Sequence, residues 1–382
     1  MPKLRVLIVD DAVVVRKILT DSLSADPDLE VVTAANGRIA LAKLAQVNPD
    51  VVTLDFEMPE MDGLATLKAI RQTHPKLPVI MFSTLTERGA AVTFDALAAG
   101  ANDYVTKPAN VGSVGTAIAR INEELIPKIK SLCGRLAPAV SDRTDLRLGA
   151  SCPVRFPAPP AAAIAPLARA AVVTPPSIAS AKAGRIEVVA IGVSTGGPNA
   201  LSALLPTLAA DFPVPIAIVQ HMPPVFTRLL AERLAGQCAL KVRESEPGMV
   251  LRPGEVVIAA GGSHMTVERA GGVVKAASNM DPPENSCRPA VDQLFRSVAR
   301  GYGASALAVV LTGMGSDGLR GCEHIREAGG DVIVQDEASS VVWGMPGFVA
   351  KAGLAGRVLP LAEIGQELTR RAWEGRLQRK AG

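Results

Sequence analysis

Aromatic side chains are scarce: Phe, Trp and Tyr together make up 3% of 382 residues. That scarcity argues against a ring-lined carbohydrate cleft or a base-stacking nucleic-acid platform. Histidine is scarcer still. Any imidazole chemistry must come from His74, His221, His264 or His324. The five cysteines, Cys133, Cys152, Cys238, Cys287 and Cys322, are odd in number and never spaced as CxxC, which excludes a disulfide framework and a zinc ribbon. Long apolar runs are also missing. The opening run from Leu4 to Val9 stops at Asp10-Asp11, so it reads as neither a secretory leader nor a membrane span. The expectation is a soluble, cytoplasmic protein with no membrane insertion. A strong charge of one sign is absent too. The net +3 divides as 14 basic against 16 acidic residues over 1–133, 7 against 2 over 134–186 and 19 against 19 over 187–382. Neither large segment carries the basic excess of a DNA-binding domain, so no nucleic-acid partner is expected.

What is present is core material. Hydrophobic residues make up 48% and charged residues 20%, and at roughly 150 residues per domain the length suits two or three domains. The clearest boundary is compositional: positions 150–180 hold seven Pro and ten Ala, with only Arg155 and Arg169 charged. Proline fixes φ and removes a donor, so such a run reads as an extended tether, or as a strap lying against a domain face. The expected division is 1–133, a 134–185 linker, 186–372 and a 373–382 tail.

Before the tether, short apolar runs end in polar residues. Leu4–Val9 ends in Asp10-Asp11, Val51–Leu54 in Asp55, Pro78–Phe82 in Ser83-Thr84, and Asp103–Thr106 in Lys107-Pro108. Helix-period stretches lie between them, the last carrying Val111, Val114, Ile118, Ile121, Leu125 and Ile129. After the tether the logic repeats. Ile186–Val193 runs into Ser194-Thr195-Gly196-Gly197-Pro198, Pro215–Val219 into Gln220-His221, and Ser305–Leu311 into Thr312-Gly313-Met314-Gly315-Ser316-Asp317-Gly318. Continuous Val/Ile/Ala runs fit strands buried on both faces, and strand–helix alternation fits a parallel sheet covered by helices. The predicted fold class is α/β: two doubly wound parallel-sheet domains joined by a Pro/Ala-rich linker.

Ligands in open parallel sheets gather beyond the carboxyl ends of the strands. In the first half that edge collects Asp10, Asp11, Asp55, Ser83 or Thr84, and Lys107. Carboxylates crowded together call for a hard divalent cation, with Mg²⁺ the natural partner. One of them could then accept a phosphoryl group while the cation and a lysine offset its charge. Helix capping is the bland alternative for any single acid, but capping gives no reason for the lysine to join them. The segments LIVDD, TLDFEMPEMDG, MFSTLT and DYVTKP resemble the signature of the two-component receiver domain, over residues 3–130. The resemblance implies a flavodoxin-like domain in which a histidine kinase phosphorylates Asp55. It implies that Asp10, Asp11, Asp55 and the main-chain carbonyl of Glu57 hold Mg²⁺ and that Lys107 contacts the phosphoryl group. Ser83 or Thr84, together with Tyr104, would form the switch, and Lys107-Pro108 would be a cis turn.

In the second half, Gly192-Val193-Ser194-Thr195-Gly196 fits G-x-S-x-G, a serine on a tight strand-to-helix turn beside free helix N–H groups. Alone the pattern is weak, because Gly-rich turns also cradle phosphates. It is neither a Walker loop, lacking Gly-Lys-Ser/Thr, nor the dinucleotide fingerprint. Among the histidines, His74 lies in the first half, His324 in a probable helix over Leu319–Glu327, and His264 in a loop as a candidate site-lining group. His221 ends a strand and would reach the same edge as Ser194. With Asp317 it completes a set in which Ser194 attacks, His221 shuttles the proton and Asp317 holds the imidazole. The order Ser…His…Asp differs from the Ser…Asp…His of α/β-hydrolases.

AIGVSTGGPNAL, QHMPPVFTRLLAERL, CRPAVDQLFRSVA, LTGMGSDGL and QDEASSVVWGMP closely resemble the catalytic domain of the chemotaxis protein-glutamate methylesterases, a Rossmann-like domain. The resemblance implies hydrolysis of γ-methyl glutamate esters on chemoreceptors, and in many members glutamine deamidation, with no cofactor for the hydrolysis. Ser194, His221 and Asp317 stand at the family's triad positions and the Met314 N–H at a suggested oxyanion position. It also implies a resting state in which the receiver covers the hydrolase cleft. Two departures stand out: Cys287-Arg288-Pro289-Ala290 where the family often has His-Arg-Pro-Ser, and Ala260-Gly261-Gly262 where it often has Pro-Gly-Gly. With no second base in view, Cys287 reads as a small buried hydrophobe. Competing readings are a non-enzymatic response regulator with a DNA- or protein-binding output, and a general esterase with a broad acyl pocket.

Overall fold

The computed structural model describes residues 2–107, 118, 121–134, 185–270, 273–374 and 376. The 134–185 linker lies almost wholly outside the described residues, as do the Lys107-Pro108 turn and most of the stretch from Val111 to Ile118.

The first domain runs β1 (Leu4–Val9), α1 (Val13–Ser24), β2 (Leu29–Ala34), α2 (Gly37–Val47), β3 (Val51–Asp55), α3 (Gly63–Thr73), β4 (Val79–Ser83), α4 (Glu87–Ala98) and β5 (Asp103–Thr106). A π-turn over Ile121–Leu125 leads into α5 (Ile126–Leu132). All strand pairs are parallel, in the order β2-β1-β3-β4-β5. Every residue of β3 and β4 is buried, as continuous apolar runs require when helices cover both faces. Ile121, Leu125 and Ile129, three of the residues in the helical pattern, bury against β1 and β4. Helices α2, α3 and α4 are capped by Asn36, Asp62 and Thr86, whose side chains accept from the N–H groups of Ile39, Ala65 and Gly89. Asp10, Asp11 and Asp55 cap no helix, so the bland reading of these acids fails.

The second domain is a seven-stranded sheet. Its strands are β6 (Val188–Val193), β7 (Ile216–Gln220), β8 (Lys241–Glu244), β9 (Glu255–Ile258), β12 (Ala306–Val310), β13 (Asp331–Gln335) and β14 (Arg357–Leu359). They lie in the order β14-β13-β12-β6-β7-β9-β8, all parallel. Around it pack α6 (Gly197–Leu204), α7 (Phe226–Ala235), α8 (Val291–Tyr302), α9 (Leu319–Glu327), α10 (Met345–Lys351) and α11 (Leu361–Trp373). The expected α/β class with parallel sheets is borne out. The sequence reading did not anticipate the antiparallel hairpin β10 (His264–Ala270) and β11 (Val273–Asn279). It packs Met265, Val267, Val274 and Ala276 against α8, and the chain leaving it supplies residues to the site.

Strand order reverses between β6 and β12, because β7 follows β6 on one side while β12 returns on the other. Such a reversal opens a crevice beyond the strand ends where ligands bind. Ser194, His221 and Asp317 follow β6, β7 and β12, three adjacent strands.

Candidate active site and phosphoacceptor site

At the first domain's carboxyl edge, ligand oxygens of Asp10, Asp11 and Asp55 all lie within 4.8 Å of one another. Lys107 Nζ stands 2.7 Å from Asp55 Oδ1 and 3.2 Å from Asp10 Oδ2. Asp55 is buried, and burial pushes its carboxyl up to about 6; the Asp10 charge adds to the rise and Lys107 opposes it. Burial also works against the Lys107 ammonium, but its pairing with Asp55 and Asp10 outweighs that and raises it. Asp10 Oδ2 is buried and, apart from that ammonium, is left without a hydrogen-bond partner. Three acids sharing one cation leave negative charge uncompensated, and an all-oxygen donor set of this kind fits a hard divalent ion. A pocket of about 680 Å³ opens beside them, lined by Asp11, Asp55, Glu57, Ser83, Thr84 and Lys107 among others. Ser83 and Thr84 differ in role. The Ser83 hydroxyl is engaged with Thr93 Oγ1 at 2.7 Å and the Gly89 carbonyl at 3.0 Å, whereas among the described residues Thr84 Oγ1 reaches only Thr86 Oγ1, at 3.2 Å.

At the second domain's edge the turn after β6 depends on glycine. Gly196 has φ +78°, and a Cβ on Gly197 would fall 1.9 Å from Gln220 Oε1. Gln220 Nε2 donates to the Ser194 carbonyl at 3.0 Å and so fixes the turn to β7. Val193 pairs in register with Gln220, which makes Ser194 and His221 the next residues on neighbouring strands. His221 Nε2 donates to Asp317 Oδ2 at 2.8 Å. Oδ2 also accepts from the Val291 N–H at 2.7 Å, and Oδ1 from Asn285 Nδ2, Asp292 N and Gly318 N at 2.9–3.0 Å. Burial alone would raise the Asp317 carboxyl, but the His221 bond and these amides hold it below the usual carboxylate range. For His221, burial opposes the charged ring, while the neighbouring Cys287 and the bond to Asp317 favour it and raise the group above its ordinary value.

The structure thus joins imidazole to carboxylate. Ser194 Oγ takes no hydrogen bond among the described residues; what faces the second imidazole nitrogen, Nδ1, is Cys287 Sγ at 3.5 Å. The Met314 N–H, just past β12, donates to no protein acceptor among the described residues.

Two family models match the chain: the response regulator receiver domain over residues 6–119 and the CheB methylesterase over residues 189–368. A protein-glutamate methylesterase/protein-glutamine glutaminase of Trichodesmium erythraeum is 53% identical, covering 97% of this chain and 99% of its own length. A protein of the same name from Nocardioides is 54% identical, over 97% of this chain and 96% of its own. The chain belongs to the protein-glutamate methylesterase/protein-glutamine glutaminase family. The Thermotoga maritima CheB methylesterase catalytic domain is 42% identical over 48% of this chain and 98% of that one, with a TM-score of 0.48.

Two features of this family member escaped the sequence reading. Asn285 Nδ2 bridges Asp292 Oδ2 and Asp317 Oδ1, both at 2.9 Å. It comes from a turn closed by reciprocal bonds between the backbones of Glu284 and Cys287, with Asn285 and Ser286 at φ 51° and 61°. The Asn285-Ser286 pair, Asn being tolerant of positive φ, is the one weak sequence signal for such a turn. Cys287 is half-buried and touches His221, so its reading as filler is corrected: the same turn carries it to the imidazole. His264, considered as a site-lining group, is fully buried and structural, its ring placed between the Pro282 carbonyl and the Ala290 N–H. His324 sits on α9, its ring 2.8 Å from the Arg320 carbonyl.

The two sites are linked through contacts between the domains. Tyr104 stacks on Phe226 with ring centroids 4.8 Å apart and planes 1° from parallel. Thr195 Oγ1 donates to Asp103 Oδ2 at 2.8 Å. Asn199 Nδ2 donates to the Leu97 carbonyl at 2.9 Å, Arg233 pairs with Asp95 at 2.8 Å, and Arg228 pairs with Glu87. The receiver therefore docks α4 and β5 on α6 and α7, the helices that follow Ser194 and His221.

Proposed function

We propose that the chain is a phosphorylation-regulated serine hydrolase that demethylates γ-methyl glutamate esters on chemoreceptors, releasing methanol, and deamidates receptor glutamines. The observation that carries this reading is the 2.8 Å bond between His221 Nε2 and a fully satisfied Asp317 carboxylate. With Nε2 committed, Nδ1 is the nitrogen that takes the Ser194 proton as Oγ attacks the ester carbonyl. The imidazolium gives that proton to the leaving methoxide oxygen, released as methanol, or to the leaving nitrogen of a glutamine, released as ammonia, and water then hydrolyses the acyl-enzyme. Asp317 holds the tautomer and balances the positive ring. The free Met314 N–H supplies a donor for the developing oxyanion, an interaction whose loss typically costs about 10²–10³ in turnover.

Asp55 is the phosphoacceptor in this reading. Asp10, Asp11, Asp55 and the Glu57 carbonyl would hold Mg²⁺, and Lys107 would contact the phosphoryl oxygens. Magnesium, when bound, offsets charge on the transferred group. Ser83 or Thr84 and Tyr104 form the switch. Tyr104 supports the coupling, because its ring lies on Phe226 and the adjacent Asp103 accepts from Thr195, the residue after the nucleophile. Phosphorylation by a histidine kinase then weakens a docked, inhibited state. Couplings of this kind are about 1–3 kcal/mol, or roughly 5–150-fold. No helix among the described residues is long and apolar enough to cross a membrane. The test is methanol release from methylated receptor by the full chain, with and without a small phosphodonor. Release should rise with the donor. Labelling of Ser194 by a fluorophosphonate should stop it, and persistent release from the labelled protein would overturn the assignment.

A further inference from the structure

We infer that Cys287 is a reactive-thiol modification site, open to hydrogen peroxide and to soft alkylating electrophiles, and that its modification shuts off the hydrolase. The thiol belongs to a line of groups: Cys287 Sγ is 3.5 Å from His221 Nδ1, and His221 Nε2 is 2.8 Å from Asp317. A sulfur against an imidazole whose far side is held by a carboxylate can hand its proton to the ring as it attacks an electrophile, so that Nδ1 serves as base for the thiol as it does for Ser194.

The placement is built, not incidental. Cys287 closes a two-residue turn in which the N–H of Cys287 donates to the Glu284 carbonyl at 2.9 Å and the N–H of Glu284 to the Cys287 carbonyl at 3.1 Å. Two central residues with positive φ mark the tight hairpin type that fixes the flanking side chains. Asn285 ties this turn to Asp292 and Asp317, and Arg296 grips Glu284 through bonds of 2.7 and 2.6 Å. The other described cysteines of the domain are different. Cys322 is fully buried in the apolar core, and burial pushes its thiol well up. Cys238 Sγ donates to the Leu234 carbonyl at 3.1 Å, and burial raises it as well.

With peroxide the step balances as follows. The sulfur, its proton passing to Nδ1, attacks one oxygen, an S–O bond forms and the O–O bond breaks. The departing hydroxide takes the proton from Nδ1 and leaves as water. Sulfur is oxidised by two electrons to the sulfenic acid, which thiols reverse, and the peroxide is reduced. With iodoacetamide an S–C bond forms and iodide leaves. Either adduct crowds Nδ1. The reactivity depends only on the Cys287–His221 pair, whereas the loss of hydrolysis rests on the proposed role of Nδ1 in accepting the Ser194 proton.

The test uses the full chain and site-resolved mass spectrometry of iodoacetamide labelling at pH 7. Cys287 should react about tenfold or more faster than Cys238. That rate should persist in Ser194→Ala and fall to the Cys238 level in His221→Gln. Because His221→Gln can unfold the edge, circular dichroism is recorded for it and His221→Asn is measured beside it; folded variants that still label at the wild-type rate would overturn the inference. So would Cys287 labelling no faster than Cys238. Peroxide should abolish methanol release reversibly in wild type and leave Cys287→Ser unaffected; sulfenylated wild type that hydrolyses at full rate would overturn the shut-off. The Ser194→Ala labelling result distinguishes this from failure of the hydrolase reading, since a reactive Cys287 in a chain that releases no methanol leaves the thiol site standing alone.

Discussion

Thr195 Oγ1 donates to Asp103 Oδ2 at 2.8 Å, so the residue next to Ser194 is hydrogen-bonded to the first residue of β5 in the receiver. Asp103 is buried, and besides this bond it meets Lys128 Nζ at 3.0 Å. One residue further along β5, Tyr104 stacks on Phe226. The turn that carries Ser194 in one domain and β5 of the receiver therefore share a contact, which is the shortest route by which a change in β5 could act on the proposed nucleophile.

Tyr104→Ala should raise methanol release in the absence of a phosphodonor. An aromatic pair contributes about 0.5–1.5 kcal/mol beyond its buried area, so the docked state should weaken by roughly two- to tenfold. The comparison is basal release by the full-length variant against wild type, with circular dichroism to show that both are folded. An unchanged basal rate would mean that the stack does not restrain the enzyme.

Ser194→Ala should lower methanol release by about 10⁴-fold or more, as removal of a triad nucleophile does. Because Ser194 lies on the other domain, phosphorylation of Asp55 by a small phosphodonor should proceed at the wild-type rate. Phosphotransfer measured alongside ester hydrolysis separates a lost nucleophile from a damaged fold. Substantial residual hydrolysis would move the nucleophile elsewhere.

Magnesium should stabilise the receiver at pH 7.5 and scarcely at pH 5. Burial raises Asp55 from 3.8 to about 6, so the folded state holds this proton more tightly than the unfolded chain. A carboxyl raised in this way contributes stability that is complete below its unfolded value and is lost as pH rises through the folded one, here between about 4 and 6. The cation needs the ionised form, so it competes with that proton below about pH 6. At a hundred times its Kd it should add about 2.7 kcal/mol at the higher pH. Scanning calorimetry with and without Mg²⁺ reads the increment, and Asp55→Asn should remove most of it. Equal increments at both pH values would detach the metal from Asp55.

The strands that carry the two sites were legible because they read as largely apolar runs ending in polar residues, and burial on both faces of a parallel sheet leaves little room for any other pattern. That is how Asp55 and Lys107, or Ser194, His221 and Asp317, could be assigned to common edges before any geometry was known. Asn285 and Cys287 were not legible. Their turn contains no glycine, although both central residues adopt positive φ, and it reaches Asp317 only because the β10–β11 hairpin packs on α8, a pairing with no local signature. The Tyr104–Phe226 stack was hidden for a related reason: the receiver resemblance marks Tyr104 as a switch residue, but nothing local to it names Phe226 on the other domain as its partner.

Asn285→Leu should impair catalysis through Asp317. In the wild type a single amide donates to two buried carboxylates, Asp317 and Asp292, at 2.9 Å each. Burial, with the Asp317 charge adding, pushes Asp292 up to about 6, so the two acids already repel one another. Removing the bridge deprives both of a donor and frees the turn that holds Cys287. Hydrogen bonds to charged groups are worth about 1.5–3 kcal/mol each, so kcat should fall roughly 10–100-fold. Asn285 makes its bonds to the carboxylates, with the substrate ester left to Ser194 and Met314, so KM should move little. An effect on KM with kcat preserved would place Asn285 on the substrate instead. Asn285→Asp should not rescue, because a third carboxylate adds repulsion where a donor is needed. Asn285→Gln, which keeps the amide, should recover part of the rate.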